Sequence, residues 1–297
     1  MKKICILGCS HSTGAELHDE HLFDDYWDFL QEKERSSHIK EYLIHIQKIE
    51  KMYGNNLYEY MKDCKQWSWI IHFEKLFKNN VDIQDFSLEG TGIDFFQYLY
   101  NFDEIKKQNE IKYIPEFIKY RTDLKKQILD SDLLIWQLTE EPRLFITSKG
   151  SGFFLLSTTL ANLSRMVKNK WNRDFSKRDI KLLLDYYENV FDEEKHFHKI
   201  TNFIDYIISE RTLRKKKTIF FSVFRTNLLK INYRPKNSEY VHWCGLEPDD
   251  SGIVNELVAK QKITIDESSL KFGHPSKKCQ QLMAEYVFNY INNFGLI

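Results

Sequence analysis

Four short, β-prone runs recur along the chain, separated by long polar stretches whose apolar residues fall at helical spacing, and this alternation constrains the fold more than any other feature. The runs are ICIL (4–7), VDIQDF (81–86), DLLIWQL (132–138) and TIFFSVF (218–224). Three of them carry apolar residues at consecutive positions, so both faces of the strand must be covered, as in a parallel sheet between helical layers. Helical pattern fills the intervals: residues 24–52, 67–77, 93–107 and 117–129, then 151–214 almost throughout. The last stretch, 276–290, places Cys279, Leu282, Met283, Tyr286, Val287 and Tyr290 on one side. The expected architecture is a single α/β unit over 1–297, a three-layer α/β/α fold with a parallel sheet and helices on both faces. Residues 151–214 are expected to form a helical cap or lateral insertion.

The charge balance removes several partner classes. Lys plus Arg and Asp plus Glu both number 43, so no net field gathers nucleic acid or anionic lipid. The basic run RKKK (214–217) reads as a solvated helix end before the fourth strand. The five cysteines form no CxxC pair, which suits a reducing compartment and suggests neither a zinc site nor a redox pair. The opening MKKICILGCS has only four apolar residues after its lysines, short of the roughly 7–15 of a secretory signal. No run reaches the roughly 20 residues of a membrane span. A cytoplasmic protein without nucleic-acid or membrane partners is expected.

Chemistry in such sheets sits where strands end and lead into helices. The first run ends in GCSHSTG (8–14), whose small residues allow a sharp turn and leave Ser10 at the mouth of a helix, its amide directed outward. SLEGTG (87–92) follows the second run, QLTEEPR (137–143) closes the third, and GHPS (273–276) precedes the last helix. In this order the four blocks resemble the SGNH (GDSL-like) hydrolase family across nearly the whole chain.

The resemblance implies a flavodoxin-like sheet and a serine esterase acting on small acyl esters, carbohydrate O-acetyl groups among them, without a metal or cofactor. Ser10 matches the nucleophile and His274 the catalytic histidine. The amides of Ser10 and Gly90 match the oxyanion hole, and Thr139 falls where the family has an asparagine that also donates there. Two positions depart from the pattern. Cys9 replaces the usual aspartate beside the serine, and Lys271 stands three residues before His274, where the family carries its triad acid. That acid fixes the tautomer of the histidine and stabilises its charge, so Asp266 or Glu267 must supply it from a shifted loop, or a backbone carbonyl must orient His274 in a dyad. The alternative is a catalytically degenerate domain that binds a glycan or protein partner.

Other candidates have ordinary structural readings. His11 adjoins Ser10, but neighbours in a turn point apart. Arg143 pairs more readily with Glu140 or Glu141 on the surface than with an anionic substrate. His196 and His198, two apart on a helix and beside Phe197, diverge too far to share a metal and suit a solvated face.

Overall fold

The computed structural model describes residues 1–8, 48, 51–53, 57–78, 80–87, 93–101, 123–138, 143–148, 152–157, 181, 185–186, 189–190, 192–223, 233, 235–245, 252–268 and 275–297. The chain runs β1 (Lys2–Leu7), α1 (Leu57–Lys65), α2 (Trp69–Leu76), β2 (Val81–Asp85), α3 (Ile93–Tyr100), α4 (Leu124–Asp130) and β3 (Leu133–Gln137). A hairpin of β4 (Arg143–Ser148) and β5 (Gly152–Ser157) follows. The remainder is α5 (Glu193–Leu213), β6 (Lys217–Phe221), β7 (Val241–Trp243), α6 (Ile253–Ala259), α7 (Ile265–Ser268) and α8 (Lys277–Asn293).

Five strands form one sheet in the order β2-β1-β3-β6-β7, and every neighbouring pair is parallel. Counted within the sheet this is 2-1-3-4-5, the flavodoxin-like order. Successive side chains leave opposite faces of a strand, and the runs are apolar on both. Cys5, Leu7, Leu134, Trp136 and Phe220 face one way, into a core closed by α3, α4 and α5. Ile4, Ile6, Leu133, Ile135, Ile219 and Phe221 face the other, under α2, α6 and α8. The three-layer α/β/α arrangement follows directly. On the first face Trp136 stacks on Phe220 at 5.8 Å and meets Phe96 and Phe203 edge-on.

Two elements differ from the sequence pattern. Gly152–Ser157 is a strand paired antiparallel with Arg143–Ser148, where helical spacing was expected from residue 151. The run FFLL is short and continuous, so periodicity alone does not separate strand from helix; the flanking glycines, Gly150 and Gly152, carry the hairpin signal. The fifth strand, Val241–Trp243, has three residues, too few to show a period.

The two ends of the sheet are built differently. At the amino edge, Arg211 from the last turn of α5 is fully buried. Its guanidinium donates to the carbonyls of Ile128, Ser131 and Lys217 and to the hydroxyls of Ser131 and Thr218. Burial lowers its pKa to about 10, so it stays charged at neutral pH. Beside it Asp132 accepts from the Lys3 amide and from Lys216 Nζ, both at 2.9 Å. One long side chain thus ties α4, β3, α5 and β6 together.

On the opposite face α8 ends in a Schellman turn. Gly295 adopts φ +56°, and the amides of Gly295 and Leu296 donate to the carbonyls of Asn292 and Ile291, as that motif requires. Lys217 Nζ donates to the Gly295 carbonyl at 2.7 Å. The carboxyl end of α8 therefore lies at the start of β6, and the helix runs antiparallel to the strands. Gln280, buried in its first turns, accepts from the Trp69 amide at 2.8 Å, satisfying a donor that α2 cannot satisfy internally. Replacing Arg211 with alanine is expected to lower stability by about 3 kcal/mol or more, because it strands several buried acceptors at once; urea denaturation of the variant checks this.

Candidate active site

Register puts the carboxyl ends of the strands on one level. The last paired residues are Ile6 with Asp85, Leu7 with Trp136, and Gln137 with Phe221. One or two residues on, Ser87, Gly8, Gln137 and Phe221 form a row at the spacing of adjacent strands, about 4.8 Å. Beyond it the backbone remains tied. The Phe86 amide donates to the Ile6 carbonyl and Leu138 to Phe221; Ile253 and Val254 donate to Ser222 and Val223. Buried polar side chains concentrate here: Ser87, Gln137 and Ser222 are each at most 2% exposed. Among the described residues of the five-stranded sheet, Thr218 is a further buried polar strand residue, and the Arg211 cluster uses it.

The exit from β2 is fixed by charge. Asp85 Oδ1 accepts from the Ser87 amide at 2.7 Å, an Asx turn. Its Oδ2 pairs with Lys65 Nζ of α1 at 2.6 Å, and the same ammonium donates to the Asp85 carbonyl. Both side chains are mostly shielded, at 16% and 23% exposure, so water screens the pair weakly.

The end of α8 nearest this edge is its start. Ser276 caps it, its Oγ accepting from the Cys279 amide at 3.2 Å, and Pro275 before it is buried. The same serine binds α7: its hydroxyl donates to the Glu267 carbonyl at 2.5 Å, and its amide donates to the Ser268 carbonyl at 3.1 Å.

The sequence candidates distribute unevenly over this edge. Ser10, Gly90, Thr139 and His274 lie outside the described residues, as do Cys9, His11 and Lys271. Their described neighbours, Gly8, Ser87, Leu138 and Pro275, stand at the carboxyl edge or at the helix start beside it. Asp266 lies in α7 with its side chain outside the description. Glu267 is described, and its carboxylate is engaged. Oε2 accepts from the amide and hydroxyl of Thr264 at 3.1 and 3.0 Å, and Oε1 pairs with Lys278 at 3.0 Å. The Glu267 amide donates back to Thr264 Oγ1, completing a capping box. These bonds hold its pKa down, at about 2.

Arg143 opens β4 opposite Ser157, its side chain outside the description. The solvated face expected around His196 is corrected. His196 and Phe197 are buried, and only His198 faces out, 3.8 Å from Glu194. The helix turns His196 into the core beside Phe197 because α5 lies flat on the sheet. Sequence reasoning passed over Lys65, Gln137, Ser222 and Ser276. Of these, Ser276 carried a local signal, a serine ahead of an amphipathic helix. The four described cysteines, Cys5, Cys64, Cys244 and Cys279, are buried, and among the described residues no helix is long and apolar enough to cross a membrane.

No family model matches the chain, and no curated protein does. Four chains among solved structures match it. One is the psychrotrophic esterase EstA from Pseudoalteromonas sp., in a structure inhibited by monoethylphosphonate. It shares 11% identity over 99% of this chain and 98% of that one, with a TM-score of 0.39. At that score the likeness bears on neither activity nor site.

Two outcomes are expected. Asp85→Asn should cost about 1–2 kcal/mol, since the turn bond survives but the shielded ammonium loses its counter-charge; chemical denaturation beside Lys65→Met checks this, and the double variant should be less than additive. Burial, with Lys199 adding to it, lowers the His196 pKa to about 4. The unfolded chain therefore binds more protons than the folded one between about pH 6.5 and 4. Stability from this group is complete above about 6.5 and declines as pH falls toward 4. A His196→Gln variant should show a shallower decline across that window.

Proposed function

We propose that the chain is a serine hydrolase of the SGNH type that cleaves small acyl esters. The single observation that carries this reading is the convergence at the carboxyl edge. Gly8, Ser87 and Leu138 leave neighbouring strands β1, β2 and β3 at one level, and α8 starts at the same edge. Ser10, Gly90 and Thr139 follow these residues by two, three and one positions, and His274 directly precedes Pro275. In the order 2-1-3-4-5 the chain leaves β1 and β3 toward opposite sides, and the crevice so opened is where such sheets bind ligands.

In this reading Ser10 Oγ attacks the ester carbonyl while His274 takes its proton. The amides of Ser10 and Gly90, with the Thr139 hydroxyl, hold the oxyanion. Collapse expels the alcohol, which receives that proton, and a water activated by the same histidine releases the acid. The reaction calls for no metal or cofactor. Carbohydrate O-acetyl groups are the substrates the family resemblance suggests, with no nucleic acid or membrane as partner and with the site working in the cytoplasm. The acid that orients His274 is Asp266 or a backbone carbonyl, because Glu267 is committed to its capping box and to Lys278.

That commitment, together with Lys271, also favours a second reading: a degenerate domain of this fold that binds a glycan or protein. Fluorophosphonate labelling separates the two, run with hydrolysis of a short-chain aryl ester. Wild-type protein and Cys9→Ala should label and turn over; Ser10→Ala should do neither, and His274→Ala should lose about 10³-fold or more. Folded wild-type protein that neither labels nor hydrolyses the ester would favour the binding domain.

A further inference from the structure

We infer that the groove between α3 and α5 binds a small sugar phosphate, its anion against Lys199 and its ring against Tyr206. The groove has a volume of about 510 Å³, within the range of roughly 300–1,000 Å³ that holds small organic ligands. The end of α3 supplies one wall through Gln97, Tyr100 and Asn101, and α5 supplies the other between Lys195 and Tyr206. Ser10, Gly90, Thr139 and His274 are not among the lining residues, so the inference stands apart from the hydrolase reading.

Helical spacing makes the cationic part. Residues three and four apart on a helix are neighbours, so Lys195, His198 and Lys199 cluster on one face of α5, and Asn202 and Tyr206 continue the stripe. Among the described residues no carboxylate lines the groove, and the described carboxylates along α5 already have partners. Glu194 lies 3.8 Å from His198, Asp205 accepts from the Tyr233 hydroxyl at 2.9 Å, and Glu210 lies 3.7 Å from Arg214. Lys195 pairs with Asp192 at 3.1 Å. Lys199 makes no ion pair among the described residues; its charge helps instead to lower the pKa of the buried His196. A further cation, Lys125 of α4, sits 5.0 Å over the Tyr100 ring. Positive charge left uncompensated in a concave surface attracts an anion, and a phosphate offers several acceptor oxygens to these donors.

The rest of the lining suits a sugar. Tyr100 and Phe203 are 3% and 5% exposed and form the floor, edge-on to each other at 5.7 Å. Tyr206, 47% exposed, meets Tyr100 edge-on at 5.9 Å and offers a ring against which the C–H side of a sugar can pack. With these rings mutually edge-on, they give no pair of parallel walls to sandwich a flat base. Gln97, Asn101 and Asn202 add carboxamides, each both donor and acceptor, as a sugar hydroxyl is. Asn101 Nδ2 is spent on the Gln97 carbonyl at 3.0 Å, which leaves its oxygen to accept from a hydroxyl.

Calorimetric titration of the full chain with glucose 6-phosphate and ribose 5-phosphate tests this, with glucose, inorganic phosphate and adenosine monophosphate as comparisons. At least one sugar phosphate is expected to bind about tenfold or more tighter than glucose or inorganic phosphate, each of which lacks half of the contacts. Lys199→Gln should weaken that binding about tenfold, the loss expected of a charge-assisted bond. Tyr206→Ala should weaken it too, while leaving the affinity for inorganic phosphate unchanged. Both side chains are exposed, so each variant should melt as the wild type does. No saturable binding of either sugar phosphate to folded wild-type protein would overturn the inference. Binding that Lys199→Gln leaves unchanged would do the same, because the ligand would then sit outside this groove. Glucose, inorganic phosphate or adenosine monophosphate bound as tightly as the sugar phosphates would refute the ligand class.

Discussion

The buried guanidinium of Arg211 holds the amino edge of the sheet closed, and the layout of everything above depends on that closure. A helix leaves its last carbonyls without partners, and the first residue of a strand leaves others. At this edge the carbonyls of Ile128, Ser131 and Lys217 are all turned toward one point. Water cannot serve them, since α5 packs over the gap. A guanidinium offers five donors in a plane, enough to satisfy these acceptors and two hydroxyls besides. Removing such a charge from water is costly, and no carboxylate is bonded to it directly. Neutral acceptors in number offset that cost, with Asp132 adding a more distant attraction.

Closure at one edge directs polar function to the other. The central strands β1, β3 and β6 are apolar on both faces through their middles, so their buried polar side chains lie near an end. At the carboxyl edge the buried groups are Ser87, Gln137 and Ser222, set on the strands around the point where the chain reverses its direction of winding. The helices reach this edge by their starts: α6 gives the amides of Ile253 and Val254 to the end of β6, and α8 begins at Ser276. Their dipoles favour negative charge there.

How much of this was legible depends on whether the cause was local. β1, β3 and β6 were readable because strands covered on both faces must be apolar runs, β2 because Val81, Ile83 and Phe86 mark a short run ahead of a turn, and α8 because its one-sided pattern extends over four turns. Helix ends were harder to read. Lys78, Lys215 and Gln261 adopt positive φ, each at the position after a helix cap where glycine is the usual signal; α5 and α6 close there with the same pair of bonds as α8. Local bonds back to the last helical turn hold these exposed lysine and glutamine backbones in a conformation their own propensity disfavours. Arg211 was illegible for a related reason: on an amphipathic helix an arginine reads as surface, and only the convergence of three distant segments buries it. His196 was misjudged likewise, since nothing local says which side of α5 meets the sheet.

For the candidate site, the four blocks named residues that lie outside the description, while the bonds of one candidate acid were written in a motif left unread. Thr264-Ile265-Asp266-Glu267 is a T-x-x-E sequence, the signature of a helix start in which the glutamate folds back on its own cap. The structure realises it, with Lys278 on the second oxygen. To orient His274, Glu267 would have to release two bonds to Thr264 and a lysine, contacts that are local and already formed. The low pKa of the carboxylate, about 2, expresses the strength of that local hold. An acid so bound is a fastener for α7, and its backbone carbonyl accepts from the hydroxyl of Ser276.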